Sequence, residues 1–176
     1  PITGRITLSG YEGSELLVAR LLIESGAEIP YVGTACPKTP WSAEDAAWLE
    51  AKGVQVKFRA SLEDDCAAME AFRPDLAIGT TPVVQKAKEL AIPALYFTNL
   101  MSSRPLMGPA GAGSIAQVVN AALAGKARFA EMEAFFGGTG RGDAAGIWTD
   151  TPREHPDFRD SWRRKLERQA KARKAE

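Results

Sequence analysis

RITLSGYEGSELLVARLLIESGAEIPYVGT, from Arg5 to Thr34, holds one complete strand–helix–strand period. Arg5 to Ser9 alternates apolar and polar residues and is rich in β-branched types, and the Gly10-Tyr-Glu-Gly13 segment breaks it. Ser14 stands where a helix cap belongs. Leu16, Leu17, Ala19, Leu21 and Ile23 continue a helical pattern, and Gly26 stops it. Glu28 to Val32 is the next strand. A crossover of this kind pairs its two strands in parallel and is right-handed.

The same period recurs along the chain. A helix opening at Trp41-Ser-Ala-Glu44 ends at Gly53, and Val54 to Phe58 is a short strand. Ser61-Leu-Glu-Asp64 has the form of a capping box with Asp in the Glu position, and that helix stops before Pro74. Asp75 to Ile78 is a strand, Thr80-Thr81-Pro82 starts a helix, and Pro93 to Phe97 is the last strand. After it, Phe97 to Ser114 (FTNLMSSRPLMGPAGAGS) reads as a loop about three times the usual handful of residues. A helix follows from Ser114 to Leu123.

Repeated strand–helix alternation predicts an α/β fold: a three-layer, Rossmann-like domain with a parallel sheet of four to five strands in the order 3-2-1-4-5. That domain is assigned to residues 1–124. Residues 125–176 are assigned to a helical extension with a short helix at 128–136, a glycine-rich loop at 137–146 and a basic tail. In the tail, Asp157 to Lys174 places Phe158, Trp162 and Leu166 on one stripe. Ligands in such sheets sit beyond the carboxyl ends of the strands, which here are Gly10–Gly13, Gly33–Lys38, Gly79–Thr81 and the long loop.

Composition sets limits on function. The 176 residues carry 22 basic and 22 acidic side chains, which argues against a dedicated nucleic-acid binder. No apolar run approaches the ~20 residues of a membrane-spanning helix. The chain opens on PITGRITLSG, without Met and without a signal peptide, so a cut or processed chain is expected. Cys36 and Cys66 make no disulfide framework, and a reduced, cytoplasmic setting follows.

Individual motifs weigh unevenly. GYEGSE occupies the place of a dinucleotide phosphate loop but lacks GxGxxG, and its Glu12 and Glu15 would repel a pyrophosphate. Gly108-Pro-Ala-Gly-Ala-Gly113 lacks the Lys-Ser/Thr of a Walker loop. His155, the single histidine, sits among Pro-flanked charges and reads as an exposed linker residue. Cys36 follows a strand end and reads as a half-buried thiol, while Cys66 reads as core. Arg104 lies inside the long loop, where its guanidinium can grip a carboxylate or make a surface ion pair. Met101, Leu106 and Met107 suit a large flat apolar ligand or a subunit surface.

The run PDLAIGTTPVVQKAKELAIPALYFTNLMSSRPLMGPAGAGS resembles the last domain of the nitrogenase-like component 1 family, and ITLSGYEGSELLVARLLIESGAEIPYVGT is similar to that domain's first βαβ unit. Within the family the likeness is strongest to the Y-type subunits of chlorophyllide a reduction. The resemblance covers roughly residues 1–150, and NLMSSRPLMGPAGAG is its specific part. It implies a subunit of an oxidoreductase that reduces the C7=C8 double bond of ring B of chlorophyllide a. It implies a Z-type partner in a heterotetramer and a [4Fe–4S] cluster in the full complex, with ligands outside this chain. Electrons would come from an iron–sulfur reductase that uses ATP, which is not bound here. Nitrogenase has a metal-ligating histidine just after this domain's last strand. The register from PDLAIG puts Thr98 there, so that metal cofactor is not held in the same way, and a tetrapyrrole cavity fits the loss.

The resemblance points to Tyr11, Thr80, Thr98, Asn99, Met101, Ser102, Ser103, Arg104, Met107 and Gly108 as pigment-pocket residues, with Arg104 on a propionate. No catalytic residue or metal ligand is assigned. Three other readings remain open: a small-ligand or nucleotide-binding module, a scaffold domain whose loop only meets a partner subunit, and the equivalent domain of dark-operative protochlorophyllide reductase. The pigment reading makes a prediction for the loop. Arg104→Ala and Met107→Ala should each change folding stability by no more than ~0.5 kcal/mol, because neither opens a core cavity. The same changes should weaken pigment binding in the assembled enzyme about tenfold or more, as loss of a charge-assisted contact does. Melting curves beside turnover of the reconstituted enzyme check both halves.

Overall fold

A computed structural model describes residues 1–102 and 108–135, with side chains through residue 131. The elements run β1 (Arg5–Gly10), α1 (Glu15–Glu24), β2 (Glu28–Thr34), α2 (Pro40–Ala51), β3 (Gln55–Phe58) and α3 (Leu62–Phe72). They continue with β4 (Leu76–Gly79), α4 (Thr81–Glu89), β5 (Ala94–Tyr96), α5 (Phe97–Ser102), α6 (Gly108–Ala124) and α7 (Lys126–Phe135). The five strands form one sheet in the order β3-β2-β1-β4-β5. Every pairing is parallel, with Leu8 opposite Val32 on one side and Ile78 on the other. Pro1–Glu133 make one compact unit.

β1 is the centre of the sheet and is buried from Ile6 to Gly10. Strand alternation sends Ile6, Leu8 and Gly10 to one face and Thr7 and Ser9 to the other. The first face carries the larger core: Ile6, Leu8, Leu76 and Ile78 from the sheet, Leu16 and Leu22 from α1, Leu49 from α2, and Ile115 and Val119 from α6. The second face holds a smaller cluster of Met69, Ala77, Val83, Ala87 and Ile92, so α3 and α4 supply it. Thr7, Ser9 and Asp65 are buried on this side, while Glu15 and Thr34 are buried at the Gly10 end of the first.

Helix starts follow local chemistry. Thr39 and Ser42 form a reciprocal capping box at α2, with Pro40 at the first helical position. Ser61 and Asp64 do the same at α3, and the Ser61 N–H holds the Asp64 carboxyl below its ordinary range. Each cap is worth about 1 kcal/mol. Ser14 departs from its expected role, because its side chain makes no capping bond at α1. The carboxylate of the next residue, Glu15, turns back instead to the Glu12 and Gly13 N–H groups of the preceding turn.

The expected long loop is the main correction. Phe97–Ser102 is helical and α6 begins at Gly108. Two tertiary effects override the loop-like composition. Phe97 and Leu100 are 2% and 4% exposed, so α5 is anchored in the larger core. Pro109 suits a first helical turn, Gly111 is buried, and Ile115 and Val119 repay the glycines' poor helix propensity by burial. Cys66 is half-buried against the smaller cluster rather than fully in the core. The expectations for residues 136–176, including His155, the glycine-rich stretch and the charged helix, lie outside the described residues.

Among the polar groups of the second layer, the Tyr31 hydroxyl donates to Asp65 Oδ1 at 2.7 Å in a fully buried bond. Gly33 makes this possible: a Cβ there would stand 2.6 Å from the Tyr31 hydroxyl and closer still to Asp65 Oδ1. Burial raises the Asp65 carboxyl from 3.8 to about 6, against the opposing effect of the Tyr31 bond. Burial, with Asp65 alongside, also raises the Tyr31 hydroxyl. A carboxyl whose folded pKa exceeds its unfolded value binds more protons in the folded state. Stability therefore falls as pH rises from about 4 to about 6, by on the order of 3 kcal/mol. Asp65→Asn keeps an acceptor for Tyr31 and should flatten this slope, ending more stable than the parent at pH 7–8. Tyr31→Phe should steepen it and extend it to higher pH. Urea unfolding at several pH values checks both.

Candidate functional site

The carboxyl ends of β1, β4 and β5 enclose a cleft of about 470 Å³. It lies beside the switch point, where the chain leaves β1 for β2 on one side and β4 lies on the other. Tyr11 reaches it from the β1–α1 turn. Gly79, Thr80, Thr81 and Pro82 come from the end of β4 and the start of α4, and Tyr96, Thr98 and Asn99 from β5 and α5. The Tyr11 hydroxyl and Thr98 Oγ1 are 3.4 Å apart, a long hydrogen bond across the mouth. Tyr11 is 59% exposed. The lining is rich in hydroxyls and carries one amide, a set of donors and acceptors for a carbonyl- or carboxylate-bearing ligand.

Tyr11, Thr80, Thr98 and Asn99, four of the site residues expected from the sequence, line this one cleft. Met101 packs half-buried against the larger core from α5. Ser102 ends α5 and Gly108 begins α6 at φ +74°; neither lines the cleft. Ser103, Arg104 and Met107 lie outside the described residues. Pro82 and Tyr96 line the cleft without having been singled out. Their signal was available, since each sits next to or within two residues of a residue that was.

The β1–α1 turn is closed by Glu15, which is 0% exposed. Its Oε1 accepts from the Glu12 N–H at 2.7 Å, and its Oε2 accepts from the Gly13 N–H at 2.9 Å and from the Thr34 hydroxyl at 2.9 Å. These are the backbone donors that a dinucleotide fold offers to a phosphate. They are already taken by a carboxylate of the same chain, a more direct obstacle to a nucleotide than the repulsion expected from the sequence. Gly10 is required here, because a Cβ would come within 2.9 Å of Glu15 Cγ and 3.0 Å of its Cδ.

A second hollow of about 260 Å³ lies at the ends of β2 and β3, lined by Gly13, Leu16, Thr34, Cys36, Pro37, Thr39, Ser42 and Phe58. Cys36 is free and half-buried, with Sγ 3.5 Å from the Tyr11 carbonyl oxygen. Burial pushes the Cys66 thiol up, which disfavours the thiolate. Among the described residues no three His, Cys, Asp or Glu side chains converge on a metal position. Nor is any described helix long and apolar enough to cross a membrane.

The fold and this edge define a class, and residues 2–124 match the family model for nitrogenase component 1 type oxidoreductases. The chain belongs to that family. It is 73% identical over all 176 residues to the chlorophyllide reductase 52.5 kDa chain of Rhodobacter capsulatus and 70% identical to that of Cereibacter sphaeroides. It spans 35% of the length of each. A solved nitrogenase structure, "Nitrogenase Cp1 at pH 6.5", overlays on 88% of this chain and 32% of its own, with a TM-score of 0.59 at 20% identity, and supports the fold.

Gly79 sets the floor of the cleft. A Cβ there would stand 2.7 Å from both Ser9 Oγ and Val83 Cγ1. Gly79→Ala should cost about 1–3 kcal/mol through overpacking. Ser9→Ala in the same chain should recover only part of this, since Val83 remains in the way. Denaturant midpoints of the single and double variants check the order.

Proposed function

We propose that this chain is the last domain of a Y-type subunit of chlorophyllide a reductase, and that its cleft is one wall of the pigment pocket. The observation that carries this reading is the convergence of Tyr11, Thr80, Thr98 and Asn99 at the carboxyl edge. High identity to two chains named for chlorophyllide reductase supports the substrate. The whole enzyme reduces the C7=C8 double bond of ring B, in a reduced cytoplasmic setting. A Z-type subunit closes the pocket from the other side. An ATP-hydrolysing iron–sulfur reductase supplies electrons. The [4Fe–4S] cluster of the full complex takes its ligands from outside this chain.

Within that pocket the chain's own groups have separate tasks. Tyr11 and Tyr96 offer aromatic surface to a flat macrocycle. Thr80, Thr98 and Asn99 meet its carbonyl oxygens. Met101, through its packing on the core, holds α5 and with it Thr98 and Asn99 in place. The family resemblance adds Ser102, Ser103, Met107 and Gly108 as pigment contacts beyond the cleft lining, with Arg104 on a propionate. The long Tyr11–Thr98 contact is easily exchanged for a bond to ligand.

Pigment titration of the assembled enzyme tests the reading. Tyr11→Ala and Thr98→Ala should each weaken chlorophyllide binding about tenfold, the equivalent of one good contact. Both side chains are exposed, so unfolding midpoints should stay near the parent. Parental affinity and turnover in both variants would place the pigment elsewhere.

A further inference from the structure

Glu15 is fully buried, and no role in pigment chemistry touches it. Its position is nonetheless demanding. A buried carboxylate is tolerated when its oxygens are hydrogen-bonded, and here three donors converge on it from two loops. Two of them are the backbone N–H groups of Glu12 and Gly13, the residues directly after Tyr11. The third, the Thr34 hydroxyl, belongs to the end of β2 and itself accepts from the Cys36 N–H at 3.2 Å. The Ala35 N–H adds a bond to the Gly10 carbonyl at 2.9 Å. The turn that carries Tyr11 is thus tied to the β2–α2 connection through one carboxylate, and Gly10 leaves the space in which that carboxylate lies.

We propose that Glu15 is a positioning residue for the cleft: its carboxylate is a built-in anion for the β1–α1 turn and holds Tyr11 against Thr98. The turn aims two successive N–H groups at one acceptor, and without an anion there both would lose that partner. An external phosphate would leave the turn's shape dependent on a ligand. An internal carboxylate makes it permanent and leaves the neighbouring cleft free for a different molecule. The Tyr11 side chain makes one long hydroxyl contact and is largely exposed, while its carbonyl oxygen accepts from Cys36 Sγ at 3.5 Å on the turn itself. Its placement therefore depends on the backbone of the turn, and the turn depends on Glu15. The effect on pigment binding rests on the reading of the cleft as a pigment wall; the effect on the turn does not.

Three measurements test this. In the parent chain, the Glu12 and Gly13 amides should exchange with solvent far more slowly than in a free peptide, despite the exposure of both residues. In Glu15→Gln, which keeps the volume but only one carbonyl oxygen, at least one of the two should become fast. Exchange at free-peptide rates in the folded parent would overturn the proposal. The second measurement is chemical rescue. Glu15→Ala should melt lower than the parent and regain stability in sodium acetate but not in sodium chloride of equal ionic strength. Leu16→Ala, an apolar cavity variant beside it, should show no such preference. Equal behaviour of the two variants would mean that Glu15 only fills space. If Glu15→Ala does not fold, the exchange experiment on Glu15→Gln decides alone. The third is pigment titration of the assembled enzyme, where Glu15→Gln should weaken chlorophyllide binding about as much as Tyr11→Ala. Weakening by Tyr11→Ala with none by Glu15→Gln would overturn the positioning role. No weakening by either would remove the pigment reading of the cleft, while exchange and rescue would still decide whether Glu15 is the anion of the turn.

Discussion

A strand buried on both faces at the centre of a parallel sheet has no solvent side, and β1 is in that position. Its backbone can satisfy its hydrogen bonds only through β2 and β4, and its side chains only through two helical layers. The rest of the domain follows from this demand. α1, α2 and α6 cover one face with the larger apolar core, and α3 and α4 cover the other. Because each strand runs the same way, every strand-to-helix turn falls on the same edge. The cleft is a consequence of that geometry before it is anything chemical.

The two layers are unequal, and the inequality has a pattern. At the ends of β1, β2 and β4 stand Gly10, Gly33 and Gly79. At each, an added Cβ would collide with a polar side chain: Glu15, the Tyr31–Asp65 pair and Ser9 respectively. The missing side chains let polar groups enter the sheet's end from the helices and neighbouring strands. Two of these entries are hydrogen-bonded with short, well-formed bonds. Ser9 Oγ has no partner among the described protein atoms and lies close to Gly79, the floor of the cleft. Such buried polar groups cost stability unless paired, so their concentration at one edge marks where the domain gives up apolar packing.

This arrangement separates the domain from the nucleotide-binding members of its fold class. The sheet order, the crossovers and the turn after β1 are those of a dinucleotide fold, yet the turn's donors are consumed internally. Fold membership alone would have left nucleotide binding open. Glu15 occupies two of that turn's N–H groups, and the neighbouring cleft at β4 and β5 is lined by hydroxyls and an amide. The family model for nitrogenase component 1 type oxidoreductases covers residues 2–124, which include every residue of this cleft.

Much of this was legible from local pattern. Strand–helix periodicity, the Ser61–Asp64 capping box and the glycine stops are short-range codes that specified the parallel sheet and its ligand-bearing edge; the crossover rule narrowed the strand order, and the family resemblance pointed to Tyr11, Thr80, Thr98 and Asn99 on that edge. What the sequence could not decide is what depends on distant partners. FTNLMS and GPAGAGS have the composition of a loop, and they become α5 and α6 because Phe97, Leu100, Ile115 and Val119 find a core to enter. Glu15 is expected from the sequence only as a helix-start acid that would repel a pyrophosphate; Thr34, 19 residues away, and the space left by Gly10 let it be buried. Asp65 was not singled out in the sequence; it lies in the first turn of α3, and Tyr31, 34 residues away, gives it a buried bond. Periodicity reports which side of an element faces inward. Which polar groups can afford to be inside is settled only by the donors that the tertiary fold brings to them.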